Sequence, residues 1–230
     1  MNQGPSHALD NPVWSALTSG QAHLRLENGP ALRFDPEVAP FGALAALSKE
    51  ALLTLASFGA PSSPVAFLSL AALPVIDGIV IERVGTLCQM IAPDEPRSEA
   101  DGDVVRLGVA DVPEMLALTQ QTKPGPFNRR TIEMGCYIGV RHEGRLIAMA
   151  GERMKLDGHS EISAVCVDDA HRGKGLAGRL MNLLRRDMLR RGEQPFLHVF
   201  EHNHGAIALY EKLGFEVRQK FHLSRLSAKP

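Results

Sequence analysis

The chain has 230 residues, a formal net charge of −1, an apolar fraction of 44% and a charged fraction of 22%. These values are ordinary for a globular protein, so they exclude a fibrous repeat and a largely disordered chain. The balanced charge provides no overall field that would attract nucleic acid or an anionic membrane, and three widely spaced cysteines fit neither a disulfide framework nor a zinc ribbon.

The amino-terminal segment lacks the basic stretch followed by an apolar stretch that a signal peptide has. The most apolar segment, residues 65–75, is shorter than the roughly 20 residues that a membrane helix needs. Isolated thiols suit a reducing compartment. The sequence therefore predicts a cytoplasmic protein with no membrane or nucleic-acid partner.

Residues 1–95 are predicted to form a smaller α/β module. Apolar spacing and β-branched residues predict four elements here: helices over residues 12–20 and 41–55, and strands over residues 65–70 and 79–90. No phosphate loop, metal-ligand cluster or catalytic spacing is evident in this part of the sequence. An acidic, proline-containing linker over residues 93–103 ends the module.

Residues 103–230 show a regular alternation of elements. Strands are predicted over residues 104–109, 137–140, 146–153, 161–167, 196–200 and 215–226. Helices are predicted over residues 113–122, 128–134, 173–191 and 205–213. This order predicts an α/β (α+β) fold in which a mixed, partly antiparallel sheet is flanked by helices.

A glycine-rich turn joins the strand at residues 161–167 to the longest predicted helix. It reads Arg172-Gly173-Lys174-Gly175-Leu176-Ala177. The first backbone N–H groups of a helix have no intrahelical partner, and glycine lets a ligand approach them closely. The turn therefore predicts a cradle for an anion such as a pyrophosphate.

Many cations lie near this turn: Arg172, Lys174, Arg179, Arg185, Arg186, Arg190 and Arg191. We expect them on the phosphate side, although a solvated helix face would also explain them. Other phosphate motifs fit less well. The Walker spacing is absent here, and the partial dinucleotide match of Gly173, Gly175 and Gly178 follows hairpins rather than a parallel βαβ unit.

Two segments carry a resemblance to a known family. Arg172-x-x-Gly175-x-Ala177 matches the [QR]-x-x-G-x-[GA] signature of the GCN5-related N-acetyltransferase (GNAT) superfamily. Asn203 and residues 206–215 resemble the family's N-x-x-A-x-x-[FY]-Y-x-x-x-G-F segment. The resemblance covers residues 103–227, and residues 161–177 are most similar to the FR47-like subgroup.

The resemblance implies acetyl-CoA as cofactor and donor, and transfer of its acetyl group to an amine of a small molecule or peptide in a ternary complex. It implies three groups of cofactor-binding residues: Ala164, Val165, Cys166 and Val167 for the pantetheine backbone contacts; Arg172, Gly173, Lys174, Gly175, Leu176 and Ala177 for the pyrophosphate; and Asn203 for the cofactor arm. The helix-then-strands order of residues 1–95 suggests a degenerate second copy of the fold. Its open roles are shaping the acceptor pocket, dimerising and binding a carrier, and the hypothesis is that it forms one wall of the acceptor site.

Two catalytic residues are implied. Tyr210 matches the position whose hydroxyl protonates the departing thiolate, and Glu161 matches a general base, for which a raised pKa is expected. The alternatives are a half-buried helix tyrosine and a strand-edge carboxylate in solvent. His198 or His202 is an alternative base.

Cys166 lies among apolar residues in a strand and is interpreted as core rather than as a nucleophile. His198, His202 and His204 lack an evident fourth ligand, so no metal site is predicted. A non-catalytic acyl-CoA sensor or regulatory module is the alternative function. The identity of the amine acceptor and the oligomeric state stay open at this point.

Overall fold

The computed structural model describes residues 7–96 and 102–229, so the predicted linker over residues 93–103 lies partly outside the described residues. The first half contains α1 (Pro12–Thr18), β1 (Arg25–Asn28), β2 (Ala31–Phe34), β3 (Phe41–Leu44), α2 (Lys49–Ser57), β4 (Val65–Ser69) and β5 (Ile79–Ile91). The second contains β6 (Val104–Leu107), α3 (Val112–Thr122), β7 (Tyr137–His142), β8 (Arg145–Leu156), β9 (His159–Val167), α4 (Leu176–Arg190), β10 (Gln194–Phe200), α5 (His204–Lys212) and β11 (Glu216–Ala228).

The predicted helix over residues 41–55 is wrong in its first half. Residues Phe41–Leu44 form β3, a fully buried strand that pairs with β2 and with β4. The helix begins only at Lys49, because the Ser48 hydroxyl accepts a hydrogen bond from the Ala51 N–H at 3.1 Å and caps it. A short, continuous apolar run does not distinguish a buried strand from a buried helix.

Two further local predictions need correction. The helix predicted over residues 128–134 is a short 3₁₀ turn, Thr131–Met134. The β1–β2 hairpin was not predicted; it turns at Gly29, whose φ of 52° favours glycine. The remaining elements lie close to their predicted positions.

The eleven strands of the described residues form one sheet in the order β1-β2-β3-β4-β11-β5-β10-β9-β8-β7-β6. Strand β5, from the first half of the chain, lies between β10 and β11 and pairs antiparallel with both. The division into two modules stays a prediction. Strand β5 of the first module is nevertheless paired on both sides with strands of the second module.

Both faces of the sheet are covered. On one face the apolar stripe of α4, including Leu180, Leu184 and Met188, packs against Leu197 and Val199 of β10. Because successive side chains of a strand point to opposite faces, Phe196 packs on the other face. It belongs to a second cluster, with Leu17 of α1, Phe34 of β2 and Phe41 of β3. Residues of the first half therefore cover the face opposite α4. No described helix is both long and apolar enough to cross a membrane.

Candidate functional site

Strands β9 and β10 run parallel but pair over only three positions, from His159–Gln194 to Glu161–Phe196. Beyond Phe196, β10 continues its pairing with β5 on its other side. The two parallel strands therefore separate towards their carboxyl ends. The separation leaves β9 with backbone N–H and C=O groups that face the opening and are available to an extended ligand.

The opening coincides with an irregularity in β9. Ala164 has a φ of 52°, a left-handed conformation that is unfavourable for a residue with a Cβ atom. The register between β8 and β9 shifts in the same region, between Met149 and Gly151. The predicted pantetheine-binding residues Ala164, Val165, Cys166 and Val167 thus start at this bulge and follow the edge of the opening.

The glycine turn follows β9 after a short 3₁₀ segment. Gly173 and Gly175 have φ values of 76° and 75°, and a Cβ atom added to either would meet nothing within 4 Å. Gly175 caps α4, and the first helical N–H bond runs from Arg179 to the Gly175 carbonyl at 3.0 Å. The N–H groups of Leu176 and Ala177 therefore have no partner within the helix. An open, glycine-walled cradle of N–H donors suits a pyrophosphate.

The cations predicted for the phosphate side divide into two groups. Arg172 is exposed and paired with exposed Asp169 at 2.7 Å, and Arg179 reaches Asp103 at 2.7 Å. The exposed Arg172–Asp169 pair contributes little stability, so Arg172 can turn to a phosphate at small cost.

For Arg185 and Arg191 the predicted position on the phosphate side is wrong. Arg185 is buried, donates hydrogen bonds to the carbonyls of Leu213 and Asp94, and lies 5.0 Å from the centre of the Phe215 ring. Arg191 binds Glu152 at 2.7 Å. Both side chains join elements of the fold, and neither is directed to the glycine turn.

Asn203 and Tyr210 lie on the far side of the opening, after β10. The Asn203 side chain caps α5 by accepting a hydrogen bond from the Ala206 N–H at 3.2 Å. Tyr210 of α5 is half-buried and packs against the cluster on the α4 face, with its ring 6.1 Å from that of Phe215. Burial raises the pKa of the Tyr210 phenol, so it is protonated at neutral pH.

Glu161 lies at the last paired position before the opening, and its side chain is completely buried. Arg153 of β8 donates two hydrogen bonds to its carboxylate, at 2.7 and 2.6 Å. Burial alone would raise the pKa of Glu161, but the Arg153 guanidinium, its hydrogen bonds and His198 outweigh burial and lower the pKa to about 2. The expectation of a raised pKa is therefore wrong, and the carboxylate is not in solvent either.

His198 has both ring nitrogens engaged. Nδ1 lies 2.7 Å from Glu161 Oε1, and Nε2 lies 3.2 Å from Gln89 Nε2. The Gln89 amide is oriented by Arg218, which donates to its Oε1 at 3.0 Å, so its Nε2 must donate to His198. His198 Nε2 therefore accepts, and Nδ1–H donates to Glu161. Both ring nitrogens thus have partners inside the protein, and the role of His198 as the alternative base stays a prediction.

The hydrogen-bond chain extends into the first part of the molecule. Gln89 of β5 also donates to the Leu9 carbonyl at 3.0 Å, and Arg218 of β11 binds Asp10 at 2.6 Å. Sequence reasoning missed Arg153, Gln89 and Arg218. Only Gln89 carried a signal in the sequence: it lies between Cys88 and Met90 in an apolar strand segment, where a polar side chain needs a buried partner.

Cys166 is buried, as predicted, and burial raises the pKa of its thiol to about 11. A thiol with that pKa is a poor nucleophile at neutral pH. Among the described residues, no group of three or more histidine, cysteine or acidic side chains is arranged to hold a metal ion. The His202 ring instead stacks on Phe200, with the ring centres 5.1 Å apart.

Comparisons with known proteins show which family and fold this chain resembles. The family model described as FR47-like protein matches residues 137–223. A crystal structure of an acetyltransferase described as a GNAT family member, from Novosphingobium aromaticivorans, is 39% identical. The alignment covers 98% of this chain and 100% of that one, with a TM-score of 0.91.

Two curated relatives match over shorter segments. The N-alpha-acetyltransferase RimI of Mycobacterium tuberculosis is 33% identical over 40% of this chain and 60% of its own length. An uncharacterised protein of Mycobacterium leprae is 33% identical over 54% of this chain and 38% of its own length. The chain thus spans less than two thirds of each of these curated relatives.

Proposed function

The chain belongs to the GCN5-related N-acetyltransferase (GNAT) family, and we propose that it transfers an acetyl group from acetyl-CoA to a primary amine by direct attack in a ternary complex. One observation carries the proposal: the β9–β10 opening leads, within one short segment of chain, into the glycine turn that begins α4. An extended ligand with a pyrophosphate at one end matches that arrangement.

The described residues fit coenzyme A. The edge of β9 over Ala164–Val167 would bind the amide groups of the pantetheine arm, and the cradle over residues 172–177 would bind the pyrophosphate. Asn203, at the start of α5, would contact the arm from the other side. When bound, acetyl-CoA would supply an acetyl group activated as a thioester.

Tyr210 is proposed as the general acid. A thiolate leaves more easily when a nearby group donates a proton to it. The half-buried phenol has a raised pKa and stays protonated at neutral pH, so the proton is present. The hydroxyl of Tyr210 would give this proton to the departing sulfur and recover it from solvent.

Glu161 as the general base stays a prediction. The low pKa of its carboxylate makes the acceptance of an amine proton unfavourable, because the strength of a base falls with its pKa. We propose instead that Glu161 fixes the positions of Arg153 and His198 beneath the opening. Water would then take the amine proton.

The first half of the chain is proposed to form one wall of the acceptor site. The Phe41 ring lies 5.0 Å from the Arg153 guanidinium carbon, and Gln21 donates hydrogen bonds to the Met134 and Arg153 carbonyls at 2.9 and 2.6 Å. These contacts place residues of the first half next to the polar group at the opening. Small-molecule amines and peptide amino termini are the acceptor classes to test, the latter because of the similarity to an N-alpha-acetyltransferase.

Calorimetric titration with acetyl-CoA tests the donor site. The Gly175→Glu variant places a side chain and a negative charge in the cradle, and we expect it to lose binding. Gly192→Glu is the matched control. Gly192 also has a φ of 75° and open space around it, but it follows the other end of α4. Equal binding by both variants, or no binding by the wild-type protein, would contradict the proposal.

A further inference from the structure

Tyr137, at the start of β7, is 1% exposed, yet its hydroxyl has no hydrogen-bond partner among the described residues. A buried phenol ordinarily has one, because an unpaired hydroxyl loses its hydration without compensation. The neighbouring charged side chains Arg153 and Glu161 do not supply a partner for this hydroxyl, since they bind each other.

The direction of the ring follows from Gly151. Tyr137 pairs with Gly151 of β8, and Gly151 in turn pairs with Ser163 of β9. A Cβ atom added to Gly151 would lie 2.1 and 2.2 Å from the Tyr137 Cδ1 and Cε1 atoms. The ring therefore lies directly across β8 in the space that glycine leaves. Its hydroxyl, beyond Cε1, extends towards β9.

The hydroxyl extends towards the part of β9 that borders the opening. Ser163 comes two residues after Glu161, the last residue of β9 that pairs with β10, and just before the bulge at Ala164. Phe127, in the loop after α3, packs edge-on against the Tyr137 ring with centres 5.5 Å apart. Phe127 and Ala164 belong to the same buried cluster as Tyr137. The cluster residues that pack on the ring are apolar, and the hydroxyl is its polar end.

We propose that the Tyr137 hydroxyl donates a hydrogen bond to the carbonyl oxygen of the acyl group carried by the donor, so that this residue distinguishes acylated from free coenzyme A. The inference rests on the proposed function, because it needs coenzyme A in the β9–β10 opening. A neutral phenol suits this role, because it is a good donor to a carbonyl oxygen and introduces no charge into an apolar wall. Gly151 has the complementary role of leaving room for the ring.

The test is calorimetric titration of wild-type protein and the Tyr137→Phe variant with two probes, acetyl-CoA and free coenzyme A. The variant removes one hydroxyl and keeps the ring. We expect its affinity for acetyl-CoA to fall about threefold to tenfold, the usual effect of losing one neutral hydrogen bond, with no change for free coenzyme A. Chemical unfolding is a second readout. Removing a hydroxyl that has no partner should leave stability unchanged or slightly raised.

The other outcomes overturn the inference in distinguishable ways. If wild type binds acetyl-CoA and the variant binds both probes equally well, the hydroxyl does not contact the acyl group. If both affinities fall together, or the variant unfolds more easily, Tyr137 has a structural role only. If wild type binds neither probe, the proposed function fails and the inference fails with it.

Discussion

Arg153 and Glu161 are neighbours across strands β8 and β9 and form a two-pronged ion pair whose N–O distances are 2.7 and 2.6 Å, inside the protein. Both side chains are at most 9% exposed. A buried pair of this kind stabilises little compared with an apolar pair, but removing one partner leaves a charge in a medium that cannot solvate it.

We therefore expect Glu161→Gln to lose on the order of 3–5 kcal/mol of unfolding free energy, because Arg153 would remain buried without its counter-charge. Urea unfolding measures the effect. Glu133→Gln is the matched control. Arg130 binds Glu133 with the same two-pronged geometry, at 2.7 and 2.8 Å, but the pair is exposed, and the loss should stay within about 1 kcal/mol. A Glu161→Gln variant of wild-type stability and strongly reduced transfer rate would instead favour the predicted role as base.

The pH dependence of stability follows from the same pair. The pKa of Glu161 is lowered to about 2 in the folded protein, whereas an unfolded glutamate titrates near pH 4.5. Its contribution is therefore complete above about pH 4.5 and is lost as the pH falls towards 2. We expect the unfolding free energy of the wild type to decrease over this window more steeply than that of Glu161→Gln. Parallel curves for the two proteins would show that Glu161 is not the group responsible.

Tyr210→Phe should separate chemistry from binding. If the phenol donates the proton to the leaving thiolate, the transfer rate constant should fall by about 10²–10⁴-fold, while the affinity for acetyl-CoA changes little. Rapid-quench assays with an acceptor identified by screening measure the transfer rate constant, and calorimetry measures the affinity for acetyl-CoA. An unchanged rate would remove Tyr210 from the mechanism. A wild-type protein that binds acetyl-CoA but acetylates no amine would favour the alternative, an acyl-CoA sensor.

Gly151→Ala should destabilise the protein through Tyr137. The new methyl group would overlap the ring, at 2.1 Å from Cδ1, and a buried ring cannot move without displacing its neighbours. We expect a loss of about 1–3 kcal/mol in unfolding free energy. Gly108→Ala is the control, because a Cβ atom at Gly108 meets nothing within 4 Å and its φ is −128°. Equal stability of the two variants would mean that the ring can leave its position across β8.

Local signals in the sequence determined the elements of the proposed cofactor site. The apolar stripe at Leu180, Leu184 and Met188 predicts α4, and Gly173 and Gly175 predict the turn before it. Helical spacing and left-handed turns depend on residues a few positions apart, so they can be recognised without the fold. The buried position of Cys166 was equally clear from its apolar neighbours.

Only the tertiary structure decided the environment of the proposed acceptor side. Strand β5 lies between β10 and β11. Arg218 binds Asp10, which lies 208 positions earlier in the sequence. The sequence placed a glutamate at position 161 but did not show that Arg153 and His198 would surround it, which reversed the expected shift of its pKa. Arg185 was likewise expected on the phosphate side, but its side chain is buried in the interior. The physical reason is common to these cases: burial and the pKa of a charged group depend on partners distant in sequence, which only the folded chain brings into contact.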